Sequence, residues 1–255
     1  MGKELYLHIA LFLAAFLLWE PGIPNVFAEN KDIALSDIKY NRGLLLMDSD
    51  PSLAMNELNS AKELNPKDPK IDVAIGQLYF RQNNYQEAVK AFEKAINLNK
   101  NYVAAYSNLG YIYMTLKDWD KAILNFRTIL NYPNIMAPHF VYNAIGWAYY
   151  EKNEFRKSIE ELKNAIKHKN NYGIAYYNLG LSLLALDNFD QAFIQFENAV
   201  TFQPELVQAH NQLALVYLKK NMRQEARKEF QKVIELAPDS LLAEEAKKYL
   251  DIIGG

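Results

Sequence analysis

The 255-residue chain contains no cysteine. That excludes disulfides, thiolate metal sites and thiol catalysis together, and with them a thioether-linked lipid anchor. An excess of either charge is missing as well. The chain has 28 Lys and Arg against 30 Asp and Glu, interleaved throughout, for a net charge of −2. A nucleic-acid binder normally shows a basic face or stripe, so no nucleic-acid partner is expected. There is no Gly-rich phosphate loop, no G-x-S-x-G and no acidic cluster with calcium spacing. The four histidines, His8, His139, His168 and His210, stand far apart. None pairs at i+3 or i+4, as a helical metal site requires. Acidic pairs such as Glu160-Glu161 and Glu244-Glu245 suit solvated helix faces. The expectation is a non-enzymatic protein with no cofactor and no metal.

Half of the residues are apolar, and two features organise them. The first is an N-terminal targeting segment. Lys3 gives a modest basic start, residues 5–19 give an apolar core, and Pro21, Gly22 and Pro24 give a turn. Val26 and Ala28 then place small residues where a signal peptidase would cut after Ala28. An uncleaved anchor is the alternative, although this 15-residue core, His8 included, is short against the ~20 of a bilayer span. Both readings place the remainder outside the cytoplasm, as an exported, periplasmic protein.

The second feature is an internal repeat. Gly76, Gly110, Gly146, Gly180 and Ala214 are separated by 34, 36, 34 and 34 residues. In phase with them run Ala88, Ala122, Ser158, Ala192 and Ala226, then Phe92, Phe126, Leu162, Phe196 and Phe230. A small residue in one helix and an Ala/aromatic pair in the next mark stacked helical hairpins. In the best-formed unit the spacing predicts a helix over 103–116, a turn, and a second helix over 119–131. Asp118 and Asp120 stand where a carboxylate can cap the second helix.

This pattern resembles the tetratricopeptide repeat. The resemblance implies an all-α fold, a right-handed α-solenoid of stacked hairpins with a C-terminal capping helix. The expected organisation is a targeting segment (1–28), an N-terminal segment with a degenerate first repeat (29–68), five repeats (69–240) and a cap (241–255). In the degenerate repeat Arg42 falls where the small residue belongs, with Gly43 beside it. The cap is expected to cover the last repeat with Leu241, Leu242, Ala246, Tyr249 and Leu250.

In this architecture the first helix of each hairpin, A, lines a concave groove. Phased positions nominate Asn108, Tyr111, Phe140, Asn143, Trp147, Tyr150, Tyr177, Asn178 and Asn211 as a partner-binding groove, aromatic and amide-rich. Aromatic anchors and amides suit capture of a protein segment; packing against the neighbouring repeat is the competing role for each. The carboxylate-clamping mode of chaperone-binding tetratricopeptide domains would need Lys39, Lys70 and Arg81, but Gly43 stands where its asparagine would be.

The segment 131–138, Asn-Tyr-Pro-Asn-Ile-Met-Ala-Pro, interrupts the march with two prolines. Export, six repeats and a Tyr-Pro interruption followed by Asn143-Ala144-Ile145-Gly146 resemble the type IV pilus assembly group of tetratricopeptide proteins (PilF/PilW-like and Tgl-like). That likeness implies help in assembling outer-membrane secretin subunits. Members of the group are typically lipoproteins, and this chain lacks the cysteine. A periplasmic adaptor of another envelope machine, such as a polysaccharide exporter, or an accessory subunit of an envelope enzyme, is the other expectation.

Overall fold

The computed structural model describes residues 26–254. The targeting segment lies outside the described residues except for 26–28, which belong to the first helix. Thirteen helices and no strands make up the described chain. They divide into two compact units, one ending at Lys100 and the other beginning at Asn101. In the first unit α1 (Val26–Leu46) pairs with α2 (Pro51–Leu64), and α3 (Pro69–Arg81) with α4 (Tyr85–Leu98). In the second, α5 (Val103–Thr115) pairs with α6 (Trp119–Leu130), α7 (Pro138–Glu151) with α8 (Phe155–His168), and α9 (Gly173–Leu184) with α10 (Phe189–Phe202). Then α11 (Val207–Lys219) pairs with α12 (Arg223–Leu236), and α13 (Leu241–Gly254) closes the stack.

Each hairpin is held by one small-to-large lock. A Cβ on Gly76, Gly110 or Gly180 would lie 2.5–2.7 Å from the ring of Phe92, Phe126 or Phe196. Those phenylalanines are fully buried, as are Phe230 opposite Ala214 and Leu162 opposite Gly146. The missing side chain in helix A is therefore the space that the ring of helix B occupies. Burying a side chain of that size contributes roughly 1.5–3 kcal/mol.

The degenerate first hairpin obeys the same rule in a shifted register. Gly43, not Arg42, faces Leu58, with its would-be Cβ 2.7 Å from Leu58 Cγ. The reason lies in the turn. Asn83, Lys117, Asn153, Asp187 and Asn221 all have φ between 57° and 61°, one in each of the other A-to-B turns. Asn and Asp tolerate this left-handed backbone better than most residues. The turn between α1 and α2 has no such residue. Gly43 and Leu58 are 15 positions apart, against 16 between the small and large residues of every other hairpin, so the lock slides by one.

Helix ends follow the sequence closely. Asp118 accepts a hydrogen bond from the Lys121 amide (3.3 Å) and so caps α6. Asp120 does not cap; it pairs with Lys152 at 2.5 Å. Asp50 and Asp68 cap α2 and α3, each followed by a proline at the first helical position, where its missing N–H costs nothing. In α13, Leu242, Ala246, Tyr249 and Leu250 pack on the last repeat, and Tyr249 stacks on Phe230 with ring centres 5.0 Å apart. Leu241 departs from expectation and is 78% exposed. The helix starts at that residue, behind a Ser240 cap that accepts from the Ala243 amide. Leu241 therefore points away, and Ala243 is buried in its stead.

Candidate protein-binding face

In the second unit two A helices, α7 and α9, touch directly across the repeat boundary. Their shared seam carries a side-chain bridge: Asn178 Nδ2 donates to Asn143 Oδ1 at 3.0 Å. Asn178 is buried and Asn143 half-buried. On α7, Trp147 and Tyr150 are one turn apart and stack at 5.0 Å and 20°. Tyr150 continues to Phe155 of α8 at 5.6 Å. Tyr177 leans on Phe196 at 6.1 Å.

A second group of rings gathers near the start of α7. Phe140 and Tyr111 are each 48% exposed. Phe140 meets Tyr172 edge-on at 5.3 Å, with His139 beneath both. Tyr111 sits edge-on to the locking Phe126.

No charge develops among these groups at neutral pH. Burial raises the Tyr111, Tyr150 and Tyr177 phenols above their usual range, with Glu151 adding to the shift at Tyr150 and Tyr150 adding to that at Tyr177. Burial, helped by Tyr111, pushes Tyr172 up to about 12. His139 is lowered by burial, then by the positive Lys169 and by His168, so its ring is neutral.

Not every nominated residue faces a visitor. Asn108 turns back on its own helix and donates to the Ala104 carbonyl at 2.7 Å. Asn211 is buried, and its Oδ1 has no hydrogen-bond partner among the described residues. Asn143, Trp147, Tyr150, Tyr177 and Asn178 are brought together by α7 and α9; Tyr111 and Phe140 flank them.

The would-be carboxylate clamp is occupied from within. Lys39 lies 2.9 Å from Glu57, Lys70 is held by Asp37 (2.7 Å) and Asp68 (3.1 Å), and Arg81 pairs with Asp48. A feature that periodicity did not reveal lies among α6, α7 and α8: a cleft of about 620 Å³ lined by Arg127, Tyr142, Tyr149, Lys157 and Glu161. Within it Arg127 pairs with Glu161 at 2.5 Å, and Lys157 pairs with Glu154 at 2.5 Å. The signal was present in sequence as Arg127 and Glu161, 34 residues apart.

Paired helices stacked by a Gly–Phe lock, with A helices presenting rings and amides, define a helical-hairpin scaffold. Models of the tetratricopeptide repeat match residues 76–117 and 146–187, 103–133 and 174–206, and 207–240. The chain belongs to the tetratricopeptide repeat family. Two solved structures share the fold over most of their length. One is PilF of Pseudomonas aeruginosa (TM-score 0.73, 13% identity, 86% of this chain and 99% of that one). The other is PilW, described as a widely conserved type IV pilus biogenesis factor (TM-score 0.72, 15% identity, 82% and 97%). At these identities the likeness is one of fold. MamA is 25% identical at TM-score 0.58, over 68% of this chain and 93% of that one. Among curated proteins, Superkiller protein 3 of Schizosaccharomyces pombe is 24% identical over 80% of this chain. The BBSome complex member BBS4 of Bos taurus is 22% identical over 76% of it. The matches span only 17% and 37% of those two proteins.

Proposed function

We propose that this protein is an exported scaffold that grips a segment of a partner protein on the A-helix face of its second unit. In this reading residues 1–28 direct export, 29–68 form the entry hairpin, 69–240 the working repeats and 241–255 the cap. The single observation that carries it is the Asn143–Asn178 bridge between α7 and α9, two helices that also carry the stacked Trp147 and Tyr150 and the ring of Tyr177. Rings supply large contact area and amides supply adaptable hydrogen bonds, the combination found at interface hot spots. The task we assign is assembly of an envelope machine such as the type IV pilus secretin. Support comes from the fold shared with PilF and PilW across nearly the whole of both proteins.

A second reading, an adaptor for a different assembly, has its own support. Curated relatives at comparable identity include a BBSome member and an anaphase-promoting complex subunit, so this family serves many machines. Affinity capture of the processed protein from crosslinked envelopes separates the two. A secretin recovered with the wild type and lost from Trp147→Ala/Asn143→Ala supports the pilus reading. Recovery of another envelope complex by the same face transfers the function to that machine. Capture that survives the double variant rejects the face itself.

A further inference from the structure

The A helices of the second unit are nearly free of charge. Across α5, α7, α9 and α11 the only Asp, Glu, Lys or Arg residues are Glu151 and Lys219, each the last residue of its helix. The B helix α8 alone carries Arg156, Lys157, Glu160, Glu161, Lys163 and Lys167. At the first-turn position, where α3 has Lys70, the second unit has Ala104, Phe140, Ile174 and Gln208. The rings of His139, Tyr111, Tyr150 and Tyr177 stay neutral, and His210 of α11 is buried and paired with Glu229 of the B helix behind it at 2.6 Å.

We infer that the occupant of this face is an uncharged, extended segment of a partner protein, rich in apolar, aromatic or amide side chains. The inference rests on the proposed use of the face and adds the chemistry of what fills it. A charged side chain brought against α7 and α9 would lose its hydration with no opposite charge to meet it, a strongly unfavourable exchange. Neutral side chains lose little and gain ring contacts. The amide bridge favours an extended backbone over a helix. Beyond their shared bond, Asn143 keeps its Nδ2 donor and Asn178 its Oδ1 acceptor. A peptide unit's C=O and N–H match that pair, and an extended chain leaves both free whereas a helix uses them internally. With neighbouring helices ~10 Å apart, four A helices span ~30 Å, the reach of roughly nine extended residues.

Selection from a random peptide library of about nine residues, displayed on phage against residues 29–255, tests this. The expected peptides carry Asp, Glu, Lys and Arg at about one third or less of their frequency in the unselected library. A synthetic copy of the best one should change affinity by less than about two-fold between roughly 0.05 and 0.5 M salt, since screening acts only on charges. Binding should be lost in Trp147→Ala. Ala104→Lys, at an exposed position, should return peptides enriched about three-fold in Asp and Glu, because it supplies the missing counter-charge. Peptides lost in Trp147→Ala but rich in charge, or with salt-sensitive affinity, would overturn the neutral occupant and leave the binding face standing. Peptides indifferent to Trp147→Ala, or no enrichment at all, would overturn both.

Discussion

The two units build their A helices on one plan and finish them with opposite chemistry. In the first unit neighbouring A helices are tied at both ends by ion pairs in matching register. Asp37 of α1 meets Lys70 of α3 at 2.7 Å near their starts, and Asp48, just beyond α1, meets Arg81 at the far end of α3. In the second unit the corresponding seam between α7 and α9 is closed by two asparagines and flanked by rings. The first arrangement pairs Lys39, Lys70 and Arg81 internally, the cations a guest's carboxylate would need. The second has no charge to satisfy and leaves aromatic surface half exposed. One scaffold thus separates a self-contained entry from a face suited to company, and the lock beneath both is the same.

That common lock gives the largest effect. Phe92→Ala in the first unit and Phe126→Ala in the second each remove a fully buried ring. Each should cost about 3–5 kcal/mol, read as the shift in urea midpoint followed by circular dichroism. Losses that differ between the units by more than ~2 kcal/mol, well beyond the few tenths by which independent sites deviate from additivity, would show that the shared plan is only a backbone likeness.

The difference in charge gives the next. Asn178→Asp places a carboxylate of nearly the same shape at a buried, cation-free position. Burial raises the folded-state pKa of such a group, so the penalty is present above that pKa and relieved as pH falls through it. At pH 7 we expect a loss of about 3 kcal/mol, the lower end of what a buried charge without a partner costs. Stability should recover towards wild type at acid pH. A variant as stable as wild type at pH 7 would mean that this face tolerates charge, and the contrast between the units would lose its electrostatic content.

Much of this was legible in the sequence because it is periodic. Glycine and phenylalanine recurring in phase fixed the hairpins, their pairing and the face of each helix A. What escaped was set by single residues. Gly43 takes the role assigned by period to Arg42, in a hairpin whose turn has no left-handed residue and whose lock spans one position fewer. Ser158 replaces alanine in the phased series and looks like a defect in sequence. In the fold its hydroxyl lies 2.8 Å from that of Ser182, itself bonded to the Asn178 carbonyl at 3.0 Å. Of the nominated groove residues, phase could not tell Asn143, which bridges to its neighbour, from Asn108, which folds back on its own helix. That choice depends on rotamers and on what stands opposite, neither of which a period encodes.

A pH response of the same sign, carried by the wild type itself, comes from the last repeat. His210 Nδ1 is 2.6 Å from the Glu229 carboxylate and Nε2 is 2.8 Å from the Pro204 carbonyl, so both nitrogens face acceptors. Only the imidazolium can donate to both. Burial works against that charge, as does Lys232 more weakly. The Glu229 hydrogen bond, the Pro204 carbonyl and the Glu229 charge outweigh them and hold the pKa above the ordinary histidine value. The stabilisation is therefore complete below pH ~6.5 and is lost as pH rises through the folded-state pKa. Between roughly pH 6 and 9 the stability of the wild type should fall, read as a declining urea midpoint, and Glu229→Gln should flatten that slope. A wild type whose stability holds constant over the same range would place a neutral imidazole at this position.

The smallest effect bears most directly on the two units. The Asp37–Lys70 and Asp48–Arg81 pairs are partly or largely exposed, and exposed pairs contribute roughly 0–1 kcal/mol. Asp37→Asn/Asp48→Asn should therefore lower stability by about 1 kcal/mol or less, with the loss shrinking at high salt. The informative readout is ligand choice. The double variant frees Lys70 of one partner and Arg81 of its pair, so the first unit should begin to retain peptides ending in a free carboxylate, which the wild type does not. The neutral peptides of the second unit should bind as before. Unchanged selectivity would mean that internal pairing is not what keeps the first unit closed to acidic guests. A changed response of the second unit would mean that the two faces, so differently finished, are nonetheless read together.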